Sequence, residues 1–127
     1  MSSVRVLFVD DEPALLTLFR TILEMQGYQV QCAASATEAC AVLKRQRFDL
    51  VISDMHMESA VAGREVIRAA ALWAPRPVIV ILTAYVLPED EWRQTGADAF
   101  FVKGTEVPVI TRKLRTLLQR SDGAVAC

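Results

Sequence analysis

The chain has 127 residues, enough for one compact domain around a single core and too few for two ordinary ones. With 53% hydrophobic and 23% charged residues it is no disordered segment, and a formal net charge of −1 provides no positive field to hold nucleic acid or an anionic membrane. The uncharged stretch Pro77 to Pro88 is 12 residues long, short of the ~18–20 a spanning helix needs, and the run before Asp10 is too brief for a secretory signal, so a cytoplasmic location is expected.

Val4 to Val9 reads as a first strand, ending in Asp10-Asp11-Glu12. Pro13 suits a first helical turn, and Leu15, Leu18, Phe19, Ile22 and Met25 recur at three- and four-residue spacing until Gly27 provides a stop. Tyr28 to Cys32 alternates weakly and suits an edge strand. Ser35-Ala36-Thr37-Glu38 is a capping box that opens a second helix to about Arg47. Leu50 to Ser53 is a third strand, followed by Asp54, and a helix fits Gly63 to Trp73 before Pro75 and Pro77.

Val78 to Leu82 has no polar alternation, as a strand covered on both faces reads, and is expected at the centre of the sheet. A short helix begins at Pro88, with Glu89, Asp90 and Glu91 complementing its dipole. Ala99 to Val102 is a fifth strand, and the last helix, Glu106 to Arg120, turns Ile110, Leu114, Leu117 and Leu118 inward and Arg112, Lys113, Arg115 and Arg120 mostly outward. Strand and helix alternate, with strand starts roughly 20 to 30 residues apart, the length of a right-handed βαβ unit. The expected fold is α/β, a three-layer open parallel five-stranded sheet of flavodoxin-like (βα)5 type. Its domain covers 1–120, and 121–127 is expected to be a short flexible tail.

In such a sheet, functional groups gather at the carboxyl ends of the strands where strand order reverses. With the order 2-1-3-4-5, Asp10, Asp11 and Asp54 converge there, flanked by Thr83 and Lys103. Carboxylates about 4 Å apart repel by roughly 4 kcal/mol per pair at an effective dielectric near 20, so the cluster calls for protons or a cation, and hard oxygen ligands point to Mg²⁺. One carboxylate is then left as a nucleophile, and the Lys103 ammonium can hold an incoming anion. Each residue alone has an ordinary explanation: Asp11 and Glu12 as helix caps, Asp54 as a turn residue, Thr83 as a strand-end hydroxyl, Lys103 as a solvated charge. Their arrival at one sheet edge, each after a different strand, favours a site. Cys32, Cys40 and Cys127 lack CxxC spacing and His56 stands alone, so no Cys/His metal set exists and reduced thiols are expected.

Val6-Leu7-Phe8-Val9-Asp10-Asp11-Glu12-Pro13, Asp49-Leu50-Val51-Ile52-Ser53-Asp54, Ile81-Leu82-Thr83-Ala84 and Gly96-Ala97-Asp98-Ala99-Phe100-Phe101-Val102-Lys103 together resemble the receiver domains of two-component response regulators, including stand-alone proteins of the chemotaxis-regulator type. The resemblance covers about Val4 to Leu118. It implies that Asp54 accepts a phosphoryl group from a histidine kinase or phosphotransfer protein. It further implies that Asp11 and Asp54 bind Mg²⁺, Asp10 does so mostly through water, and the His56 carbonyl adds a ligand. Thr83 and Lys103 would hold the new phosphoryl oxygens, while Phe100 would pack inward as Thr83 moves. The output would be the face of the fourth helix, fifth strand and fifth helix, which meets a protein target, and a dimer through Trp92, Phe101 and the last two helices is compatible with the pattern.

Three positions depart from the family. Gly104 stands where proline usually follows the lysine through a cis bond, so a trans bond is expected, which alters the turn that places Lys103. Glu58 takes the customary proline position and Gly63 comes one residue late, so a longer or more mobile loop is expected. His56 and Tyr85, each two residues beyond Asp54 and Thr83, could line the route of hydrolytic water, with Tyr85 slowing loss of the phosphoryl group.

Rival readings fit less well. A dehalogenase-like phosphatase needs two aspartates separated by one residue, which Asp10-Asp11-Glu12 lacks, and no glycine-rich phosphate loop exists for a nucleotide or flavin. A receiver-like interaction module that phosphate does not regulate is the remaining alternative. Only seven residues follow the last expected helix, so the effect is expected to pass through a partner, unless the chain is a piece of a larger regulator.

Overall fold

The computed structural model describes residues 3–126, with side chains described as far as residue 120; Cys127 lies outside the described residues. Ten elements alternate along the chain: β1 (Arg5–Val9), α1 (Pro13–Met25), β2 (Gln29–Ala33), α2 (Ala36–Arg45), β3 (Leu50–Ser53), α3 (Ala62–Ala71), β4 (Val78–Thr83), α4 (Glu89–Gln94), β5 (Ala99–Val102) and α5 (Val107–Ala126). All four strand pairings are parallel, in the order β2-β1-β3-β4-β5. The expected fold class is the observed one, with β2 at an edge, but β3 is the middle strand and β4, expected there, lies between β3 and β5.

The unbroken apolar run of β4 follows from packing on both faces. Ile79 and Ile81 join Leu7, Val9 and Val51 against α2 and α3, while Val78, Val80 and Leu82 join Val6, Phe8, Leu50 and Ile52 against α1 and α5. Successive strand side chains point to opposite faces, so a strand roofed on both sides has no place for polar alternation. Leu114 and Ile110 of α5 and Leu23 and Phe19 of α1 close the second face, where the Phe8 and Phe19 rings stack with centroids 5.0 Å apart.

Boundaries differ from expectation mostly at helix ends. The α5 backbone stays helical to Ala126, beyond the expected end at Arg120 and into the segment read as a tail. Apolar spacing marks only the turns that face the sheet, whereas the backbone hydrogen-bond ladder propagates past them. Register matters more for function. Val9 pairs with Ser53 and Thr83 with Val102, so β1, β3, β4 and β5 all finish at the same edge and deliver Asp10, Asp54, Thr83 and Lys103 together.

Candidate functional site

The acids reach the edge because β1 and β3 are neighbours. The amide of Asp54 donates to Val9 O at 3.0 Å and that of Asp10 to Ala33 O at 3.1 Å, anchoring both residues to the sheet before their chains turn away. Asp10 and Asp54 are buried, Asp11 is exposed, and one carboxylate oxygen of each lies within 4.8 Å of the others. Glu12 occupies the N-cap of α1 without a side-chain cap bond, so the plain capping explanation fails for it. Its amide donates instead to Asp10 Oδ1 at 2.9 Å.

Lys103 ties the cluster together. Its Nζ stands 2.9 Å from Asp10 Oδ2, 2.9 Å from Asp54 Oδ2 and 3.5 Å from Glu12 Oε1. Burial opposes charge on Lys103, but hydrogen bonds and attraction from Asp10 and Asp54 outweigh it and hold the ammonium well above its ordinary pKa. For Asp10 the balance goes the other way. Desolvation raises its pKa despite the Glu12 amide and Lys103, and the Asp54 charge adds to the rise. One ammonium against this many acids leaves negative charge uncompensated, and the donors are all hard oxygens, so the residues fit a small divalent cation such as Mg²⁺.

Asp54 Oδ1 accepts from the amides of Met55 at 2.7 Å and His56 at 3.4 Å, which turns Oδ2 toward Lys103. Thr83 is fully buried, and its Oγ1 has no hydrogen-bond partner among the described residues. Such an orphan costs on the order of 1–3 kcal/mol, which makes it a donor in want of an acceptor. Phe100 is half-buried, with its ring centroid 6.1 Å from that of Trp92 in α4.

The departures from the family pattern resolve locally. The bond after Lys103 is trans, as expected, and Gly104 takes a φ of +98°, a left-handed turn that glycine enters without strain. The side chain of Lys103 nonetheless reaches both buried acids. Gly63 packs against the end of β3: a Cβ there would lie 2.4 Å from Asp54 O and 2.5 Å from Met55 Cα. Its amide donates to Met55 O at 3.0 Å. The glycine that comes one residue late is therefore the one this approach requires.

Glu58 was missed as a structural element. Its carboxylate accepts from the amides of Ala36 at 2.9 Å and Thr37 at 3.1 Å and from Thr37 Oγ1 at 3.2 Å. The Ala36 amide above all, then that of Thr37, holds the Glu58 carboxyl below its usual range. The capping box is present beside it, with the Glu38 amide on Ser35 Oγ and the Ala34 amide on Glu38 Oε2. No local signal announces Glu58, because its partners lie 21 and 22 residues back along the chain. Exposed His56 and Tyr85 meet at the rim, ring centroids 5.2 Å apart.

Comparison with known proteins agrees with this geometry. The family model "Response regulator receiver domain" matches residues 6–119. The alginate biosynthesis transcriptional regulatory protein AlgB of Pseudomonas aeruginosa is 40% identical over 78% of this chain and 22% of its own length, and the transcriptional regulatory protein GlrR of Escherichia coli is 32% identical over 94% and 27%. The chain thus spans about a quarter of the length of these curated relatives. A CheY-like receiver domain protein from Methanospirillum hungatei superposes with a TM-score of 0.87 at 28% identity, covering 97% of this chain and 99% of that one. TrrA of Thermotoga maritima, solved in complex with Mg²⁺-BeF, gives a TM-score of 0.79 at 29% identity, covering 90% and 98%.

Proposed function

The chain belongs to the response regulator receiver domains of two-component systems, and on that premise we propose that Asp54 accepts a phosphoryl group, with Mg²⁺ as cofactor, from a histidine kinase or phosphotransfer protein. The observation that carries this reading is the buried Asp54 carboxylate 2.9 Å from Lys103 Nζ, with oxygens of Asp10 and Asp11 within 4.8 Å. Its acidic cluster is typical of the phosphorylation site of this family. A module that phosphate does not regulate is not favoured.

In the proposed reaction an Asp54 oxygen attacks phosphorus in line. The new P–O bond forms as the donor's P–N bond breaks, and that electron pair returns to the imidazole. Lys103 yields Asp54 Oδ2 to the incoming group and pairs with a phosphoryl oxygen as a point charge. Asp11, Asp54 and the His56 carbonyl would hold Mg²⁺ directly, and Asp10 through water. When bound, that ion neutralises charge spreading over the phosphoryl oxygens.

Thr83, whose hydroxyl has no partner, then donates to a phosphoryl oxygen and ends its isolation. As Thr83 moves, the Phe100 and Trp92 contact repacks, and the α4–β5–α5 face changes shape toward a protein target. Hydrolysis reverses the state: water attacks phosphorus and the Asp54 carboxylate leaves with the P–O pair, beneath the His56–Tyr85 rim. Receiving its phosphate from a kinase, the domain would work in the cytoplasm. No helix among the described residues is long and apolar enough to cross a membrane.

The test is intact-mass analysis after incubation with Mg²⁺ and an acyl phosphate. Wild type is expected to gain one phosphoryl group and Asp54→Asn none. A wild-type protein that gains none refutes the reading.

A further inference from the structure

Glu58 sits in the loop between β3 and α3 that also carries His56. The start of a helix leaves its first amides without partners inside the helix. In α2, Ser35 Oγ takes the Glu38 amide, and Glu58 takes those of Ala36 and Thr37 together with the Thr37 hydroxyl. Two of these three amides are therefore answered from a different loop.

At its base the loop is held by the Gly63 amide on Met55 O at 3.0 Å and the Met55 amide on Asp54 Oδ1 at 2.7 Å, but beyond His56 its other hydrogen bonds are weak. Within it, the Met57 amide reaches Ser59 O, the Ala62 amide reaches the same oxygen, and the Val61 amide reaches Ser59 Oγ, each at 3.3 Å. Those lengths lie at the outer limit of N–H···O bonds. The Glu58 bond to the Ala36 amide is 2.9 Å and, being to a carboxylate, is of the stronger charge-assisted kind. Ser35 and Glu38 already cap α2 locally, so the helix has less need of Glu58 than the loop has of the helix.

We infer that Glu58 is a positioning residue for the metal site. Tied to the start of α2, it fixes the backbone of the loop that presents the His56 carbonyl, and so sets the affinity for Mg²⁺. The inference rests on the reading of Asp54 and Mg²⁺ given above, and it assigns to one side chain the rigidity that proline would give at the same place.

Isothermal titration of the full chain with Mg²⁺ tests it, using Glu58→Ala, Glu58→Asp and Ser35→Ala. Aspartate keeps the charge but is one methylene too short to reach α2, whereas Ser35→Ala weakens the helix start and leaves the tether intact. Both Glu58 variants are expected to bind Mg²⁺ about tenfold more weakly, the size typical of losing the support behind a metal ligand, and Ser35→Ala to bind as wild type does. Without metal, amide exchange over residues 56–59 is expected to quicken in the two Glu58 variants alone.

Unchanged affinity in both Glu58 variants overturns the inference and leaves the phosphoacceptor reading standing. Loss in Glu58→Ala but not in Glu58→Asp assigns the effect to charge, and equal loss in Ser35→Ala assigns it to helix stability; either also overturns it. A wild-type chain that binds no Mg²⁺ sinks both.

Discussion

Replacing Lys103 by methionine keeps the apolar stem and deletes the ammonium. The variant leaves Asp10 and Asp54, 1% and 5% exposed, facing each other without the charge that now stands 2.9 Å from both. Removing one partner of a buried pair typically costs about 3–5 kcal/mol. Asp10 limits the loss, because burial, and after it the neighbouring acid, raise its pKa and make proton uptake less costly there than at an ordinary aspartate.

We therefore expect about 3 kcal/mol of destabilisation at neutral pH, read as a fall in Tm of roughly 10 °C for a domain of this size. The sign with pH follows from the raised pKa of Asp10: the penalty is largest where the acid is ionised and shrinks as pH falls through its folded-state pKa. Asp10→Asn in the same background should recover most of the loss, since the amide removes one of the two stranded charges. Urea unfolding in metal-free buffer measures all four corners of that cycle. A Lys103→Met protein within about 0.5 kcal/mol of wild type, or one that Asp10→Asn fails to rescue, would refute the electrostatic account of the pocket.

Other expectations follow from single contacts. Gly63→Ala would push a methyl to 2.4 Å from Asp54 O; backbone cannot yield cheaply, so denaturation should show a loss of about 3 kcal/mol and phosphorylation should fall with it. Thr83→Val removes a buried hydroxyl that has no partner. Its metal-free form should gain about 1 kcal/mol in thermal unfolding, while the change in Trp92 fluorescence on phosphorylation disappears. Tyr85→Ala opens the rim that Tyr85 forms with His56 and should shorten the lifetime of the phosphoryl group by mass or radiolabel decay; an unchanged rate counts against a shielding role.

Much of this was legible in the residues themselves. Apolar periodicity separates strand from helix because burial repeats every two residues in one and every 3.6 in the other, and Pro13, Gly27 and Ser35 punctuate the first two helices by local backbone chemistry. Once the strand order is granted, Asp10, Asp54, Thr83 and Lys103 fall together automatically, since each immediately follows or ends a strand. Helix ends were less legible: α5 carries on past the residues whose spacing reveals a buried face.

What only the tertiary structure decided are contacts between segments that no local rule connects. Whether Lys103 reaches the acids after a trans bond depends on the turn at Gly104, and the need for Gly63 depends on how closely α3 approaches the end of β3. Glu58 reads in sequence as a misplaced acid in a loose loop, yet in space it caps a helix 21 to 22 residues earlier. Local chemistry specifies which groups are available and which element each rides on; the distances between elements, and hence which hydrogen bonds and charges are satisfied, arise only when the layers pack.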